Sequence, residues 1–358
     1  MIDDAPATRR FAAKPRVSVV LLCMLGAVPA CGSSGAGGDD DNPWREAFDA
    51  EKRGWFLNAW GSSENDVYAL GGESSRGVIM HFDGRNWAPL DLGIDVPLLT
   101  WMYGFGPDDI TAVGFAGTAM HWDGTNFTLQ ETPTTEDLWG VWGSAANDLW
   151  AVGGSGRPDA VATLLHYDGI AWAEVALPPI TPSSVFALFK VFGTSAENVY
   201  VVGQRGVVLH WNGQNWQEED AGTSEDLVSI WGTGPDHLVA VGGRANGIVS
   251  TWNGSAWKTV SLAPLPGLNG IWMNKPGVAH AVGALGTLIE IDLGGPDGSS
   301  GPGVPGALTY QDSSIASALD FHGVFSVAGQ TLFAVGGNLT VPSDTFEGIA
   351  YARTLGSP

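Results

Sequence analysis

Short apolar runs alternate with turn residues along almost the whole chain, and the alternation repeats. In residues 191–216, VFGTSAENVYVVGQRGVVLHWNGQNW, a first apolar run closes on Phe192-Gly193. The polar turn TSAEN leads into residues 199–202, closed by Gly203, and the tight turn QRG leads into residues 207–211. Asn212-Gly213 is then a turn signal, because both residue types tolerate positive φ. Trp216 and a polar run follow. Runs of this length, rich in Val, Tyr and Trp and bounded by Gly and Asn, predict β-strands, and each is too short for a free-standing helix. The unit is therefore a small antiparallel sheet of four strands.

Seven copies align on it. The first strands end at Trp60-Gly61, Tyr103-Gly104, Trp142-Gly143, Phe192-Gly193, Trp231-Gly232, Trp272-Met273 and Phe325-Ser326. The second strands read DVYALGG, DITAVG, DLWAVGG, NVYVVG, HLVAVGG, VAHAVG and TLFAVGG. Third strands with their turns read HFDGRNW, HWDGTNF, HYDGIAW, HWNGQNW and TWNGSAW, decaying to EIDLGG and IAYARTL in the last two copies. The first-strand ends lie 39 to 53 residues apart, the period of a four-stranded propeller blade, whereas the rungs of a β-solenoid are shorter. The expected fold is all-β, a seven-bladed β-propeller spanning residues 43–358.

The seventh copy supplies only three strands, FHGVFSV, TLFAVGG and GIAYART. Residues 43–49, which include Trp44 and Phe48, resemble the fourth strand NWQEED of blade four. They are expected to form the outer strand of blade seven, closing the ring and covering two sheet edges. Residues 294–306 read as a mobile loop in blade six, and the segment after Pro178 as a longer crossing between blades three and four.

Composition adds an address. Arg9, Arg10, Lys14 and Arg16 precede an apolar run of 12 residues at 17–28, which ends Val28-Pro29-Ala30-Cys31. Such a run is too short to span a bilayer comfortably and reads as an export signal over residues 1–31. It resembles a bacterial lipoprotein signal with Cys31 as the lipidated residue; cleavage after Ala30 by an ordinary signal peptidase is the alternative. Cys23 falls inside the leader, so Cys31 would be the one thiol of the mature chain. Residues 32–42 then read as a flexible acidic tether. The expected location is an outer-membrane lipoprotein, on its periplasmic or cell-surface side, held to the membrane through Cys31. Without the leader, 12 Lys and Arg face 36 Asp and Glu, a net charge of −24. That surface repels phosphate backbones and argues against nucleic acid as a partner.

The Trp-Gly first strands, the D-[VIL]-[YW]-A-V-G second strands and the H-[FWY]-[DN]-G-x-x-[WF] turns together resemble exported repeat propellers of myxobacteria and related bacteria. More distantly, the third-strand turn is similar to the Asp-box of sialidases and of photosystem II assembly factor propellers, though it lacks the usual initial Ser or Thr. The resemblance implies a fold rather than an activity, and it implies a turn-stabilising role for Asp83, Asp123, Asp168, Asn212 and Asn253.

Candidate chemistry is sparse. His81, His121, His166 and His210 recur at one position in four blades, too far apart across a propeller to share one metal ion, and are expected to hydrogen-bond within their own blades. Arg76, Arg157, Arg205 and Arg244 fall in turns between second and third strands, where they are either solvated turn residues or a basic patch suited to carboxylates and sulfates. Loop carboxylates such as Glu136, Asp137, Glu218 and Glu219 are abundant, as an acidic chain requires. No Ser-His-Asp order, Gly-x-Ser-x-Gly, phosphate loop or Cys-His pair is present. The first-strand aromatics are expected to pack between blades. No catalytic residue, metal or cofactor is implied. The expected function is a lipid-anchored cell-envelope scaffold that binds a protein or an acidic glycan. A glycan-processing hydrolase or lyase using the same loop face, and a purely structural envelope component, are the other readings.

Overall fold

A computed structural model describes residues 42–155, 160–294, 308–338 and 346–355. They form seven antiparallel sheets of four strands each. Blade four is representative, with strands Leu188–Ser195, Asn198–Gly203, Val207–Trp211 and Trp216–Asp220. First strands contact the first strands of both neighbouring blades in an unbroken cycle, the last returning to the first. The chain is a seven-bladed propeller.

The hydropathy of each strand follows from its place in the blade. The second strand is covered on both faces by adjacent blades, so Val199 to Val202 are all buried and the run is continuously apolar. The fourth strand lies at the outer edge, and only Trp216 of Trp216–Asp220 is buried. At the inner edge, the glycine that ends a first strand makes room for the aromatic of the preceding blade. A Cβ on Gly193 would lie 2.4 Å from the Trp142 ring, and one on Gly104 would lie 2.7 Å from the Trp60 ring. Successive rings then stack around the axis: Trp142 to Phe192 at 6.3 Å and Phe192 to Trp231 at 5.1 Å. Trp231 also reaches Phe325 of blade seven at 6.5 Å and donates its indole N–H to the Met273 carbonyl of blade six. The first-strand aromatics therefore pack between blades.

Closure uses the N-terminal strand. Arg45–Glu46 pairs antiparallel with Gly348–Thr354, Arg45 opposite Ala352 and Glu46 opposite Tyr351. The Ala47 N–H adds a bond to the Ala350 carbonyl at 2.9 Å. Trp44 is buried and donates to Ser313 Oγ of blade six at 3.0 Å. Fourth-strand tryptophans elsewhere do the same: Trp172 donates to Gln130 of blade two and Trp257 to Glu219 of blade four. Trp44 thus fills the position that a fourth strand of blade seven requires.

The third-strand turns are held by side-chain caps. Asp83 Oδ1 accepts from the backbone N–H groups of Arg85 and Asn86, and Asn212 Oδ1 from those of Gln214 and Asn215. Asp123, Asp168 and Asn253 repeat the arrangement. The expected export signal and tether, the loop of blade six from residue 295, and Arg157 lie outside the described residues.

Candidate functional site

Every first strand carries a β-bulge close to its start. The register of first against second strand slips between Phe56 and Asn58, Leu99 and Trp101, Leu138 and Gly140, Leu188 and Lys190, Leu227 and Ser229, Leu268 and Gly270, and Phe321 and Gly323. The residue before each bulge is fully buried in the blade core. That anchor leaves the extra residue to project elsewhere. In all seven blades it lines one cavity at the axis: Leu57, Thr100, Trp139, Phe189, Val228, Asn269 and His322. The cavity measures about 380 Å³ and is also lined by Lys190, Gln204, Arg244 and Asp320. Three residues further along each first strand, roughly 10 Å at strand rise, stand the aromatics that pack between blades.

Lys190 dominates the electrostatics of this pocket. It follows the bulged Phe189, and its side chain is all but buried. Its ammonium lies 4.0 Å from the Trp101 ring centroid of blade two. It donates one hydrogen bond, to the Trp139 carbonyl at 2.8 Å. An ammonium carries three donors. Among the described residues no carboxylate stands within 4.0 Å of it. Burial without a counter-ion pushes its pKa down to about 7. His322 is likewise driven down, to about 4, chiefly by burial, so its ring is neutral, and its Nε2 has no partner among the described residues.

The other polar groups of the pocket are engaged in holding the ring together. Thr100 Oγ1 donates to the carbonyls of Val113 and Leu138. Gln204 Oε1 accepts from the N–H groups of Phe186 and Ala187, and Asn269 Nδ2 donates to the Phe321 carbonyl. Asp320 Oδ1 accepts from Leu285 N–H, a residue with φ of 55° in the turn of the preceding blade. Asp137 and Asp226 cap the equivalent turns at Ala116 and Arg205, whose φ values are 53° and 58°. Asp320 is thus one of a repeated set of blade-joining acids.

Of the four candidate arginines, Arg244 reaches the pocket. It pairs with Asp226 at 2.8 Å and lies 5.5 Å over the Phe189 ring. Arg76 pairs with Glu73 at 3.1 Å in the turn of blade one, and Arg205 occupies the left-handed turn position in blade four; neither lines the pocket. Each repeated histidine bonds inside its own blade: His81 to Asp66, His121 to Asp109, His166 to Asp148, and His210 to both Asn198 and Glu219. The axial residues were missed by reading the repeats for what they share. Their signal is the opposite one: the position three before the repeated aromatic holds a different residue in every copy.

No family model matches the chain, and no curated protein sequence is significantly similar to it. Solved structures are similar in fold. YCF48 bound to a D1 peptide superposes with a TM-score of 0.62 at 14% identity, covering 89% of this chain and 98% of that one. YCF48 from Cyanidioschyzon merolae gives 0.62 at 14% identity over 87% and 98%. The RRP9 WD40 repeats give 0.66 at 11% identity over 88% and 98%. At these identities the likeness is one of architecture.

Proposed function

We propose that this protein is a non-enzymatic binding protein of the cell envelope, anchored through a lipid on Cys31, which receives a segment of a partner protein in its axial pocket. The observation that carries this reading is the lining of that pocket. One residue from each of seven near-identical blades meets there, and the seven side chains all differ, whereas the surrounding strands repeat. A mostly apolar concavity with a few convergent polar groups is the usual form of a ligand site. Propellers of the same architecture include one solved with a peptide bound, which supports a protein partner. The basic leader, the short apolar run and Cys31 support export and anchoring.

A hydrolase acting in the pocket would call for two carboxylates flanking a scissile bond. Asp320 is the one carboxylate among the described lining residues, and it is committed to the Leu285 N–H. The binding reading therefore fits the pocket better. The test is an array of peptides and envelope glycans probed with the full chain and with a Trp139→Ala/Phe189→Ala variant. Binding to peptides that the variant loses, with unchanged melting temperature, is the expected result. Binding that the variant retains would place the interaction elsewhere on the ring. For the anchor, expression in an exporting bacterial host should give membrane-associated protein that Cys31→Ser releases; a soluble wild-type chain would overturn lipidation.

A further inference from the structure

Two features of the axial pocket bear on what it takes. First, this chain has a net charge of −22, yet the pocket brings together two cations, Lys190 and Arg244. Arg244 already holds Asp226, whereas Lys190 uses one of its three donors and has no ion-pair partner among the described residues. A buried ammonium lacking an anion is a costly arrangement that a fold does not need. Second, Leu57, Trp139, Phe189 and Val228 give the pocket apolar and aromatic surface, and Thr100, Gln204, Asn269 and Asp320 spend hydrogen-bonding groups inside the protein. A sugar buried there would meet few uncommitted polar groups besides Lys190 and His322, and each hydroxyl left without a partner costs about 1–3 kcal/mol.

Taken together, these point to one class of ligand. We propose that the axial pocket binds the C-terminal carboxylate of a partner protein's apolar tail, and that Lys190 is the residue that receives it. This rests on the reading that the pocket is the binding site, and it assigns the ligand's chemistry. The carboxylate supplies the missing counter-charge to the ammonium above the Trp101 ring, and the apolar terminal side chains lie against Trp139, Phe189 and Val228. The other charged and titratable groups facing Lys190 across the pocket are Arg244, Asp320 and His322. His322 is neutral, and Asp320 already accepts the Leu285 N–H. Binding a carboxylate makes the protonated amine the stable form, so a proton is taken up on binding above pH 7 and affinity falls as pH rises.

The experiment compares decapeptides that carry free C-termini with the same peptides amidated, using the full chain at about pH 6 and at about pH 9, together with uronic-acid oligosaccharides. Free acids should bind at least about tenfold more tightly than amides at the lower pH, near 1.4 kcal/mol, and the difference should shrink at the higher pH. Lys190→Met should abolish the preference for free acids over amides, and Lys190→Arg, which keeps the charge, should retain part of it. Equal binding of acids and amides would overturn the carboxylate proposal and leave the pocket as a peptide site. Binding of the uronic-acid oligosaccharides alone would overturn the peptide assignment, and no binding of any probe would overturn both readings.

Discussion

Replacing Lys190 with methionine removes a buried charge from the propeller axis, and the structure sets the size of the effect. Burial lowers this amine from the usual 10.5 to about 7. At about 1.4 kcal/mol for each tenfold change in proton affinity, holding the protonated form costs the folded state roughly 5 kcal/mol. The bond to the Trp139 carbonyl, of the charged kind, returns about 1.5–3 kcal/mol. A methionine side chain there would be apolar, of similar length, and able to lie on the Trp101 face. The net expectation is a variant more stable than the native chain by about 2–3.5 kcal/mol near pH 6. The sign with pH follows from proton counting. Below about 7, folded and unfolded chains both carry the proton and the full cost is present. Between about 7 and 10.5 the unfolded chain holds a proton that the folded chain lacks, so native stability rises with pH. Above 10.5 both forms are neutral and the cost is gone. Urea unfolding of both proteins at about pH 6, 8 and 10 measures the gap directly. The variant's advantage should be largest at the lowest pH and should narrow steadily. A less stable variant at pH 6, or a gap that ignores pH, would refute the reasoning. A native residue that destabilises its own fold while serving a ligand is a common compromise at binding sites.

Two further outcomes follow from other parts of the ring. Deleting residues 32–49 should remove the closing strand and lower the melting temperature sharply, whereas deleting 32–40 should not; Trp44→Ala alone should cost about 3–5 kcal/mol, and equal effects of the two deletions would argue against closure by this strand. Asp83, Asp123 and Asp168 are held below the usual carboxylate range, chiefly by the backbone N–H groups of Asn86, Asn126 and Ala171. A lowered carboxyl contributes stability that is present above its unfolded pKa and lost as pH falls through the folded one. Changing all three to Asn, the residue at the equivalent positions 212 and 253, should keep the turns and flatten the acid side of the melting-temperature profile below pH 3.8. Unaltered acid sensitivity in that triple variant would sink the account.

The chain itself declares its blades. Seven aromatic-ended first strands, second strands such as NVYVVG and Asx turns such as Asn212-Gly213 are local patterns, each satisfied within a few residues, and they repeat because each blade meets the same surroundings. Even the closure could be read, because Trp44 and its neighbours form a fourth strand with no sheet of their own. What the pattern could not convey is the meeting of positions that differ. Leu57 and His322 are far apart in sequence and share no motif, and only the circular arrangement brings them to one axis. The bulge that turns them inward leaves no mark in the hydropathy, since it adds one residue beside a buried anchor such as Leu188. Lys190 looks like a solvated charge in the run ALFKVF, yet its ammonium meets the Trp139 carbonyl and the Trp101 ring of two other blades. The arginines separate in the same way. Arg76, Arg205 and Arg244 share a turn type, yet Arg244 lines the pocket and Arg76 and Arg205 do not. Repetition is written in the sequence because local forces produce it, whereas the axial pocket was decided by the tertiary structure, because it draws one side chain from each blade and exists only when the ring is closed.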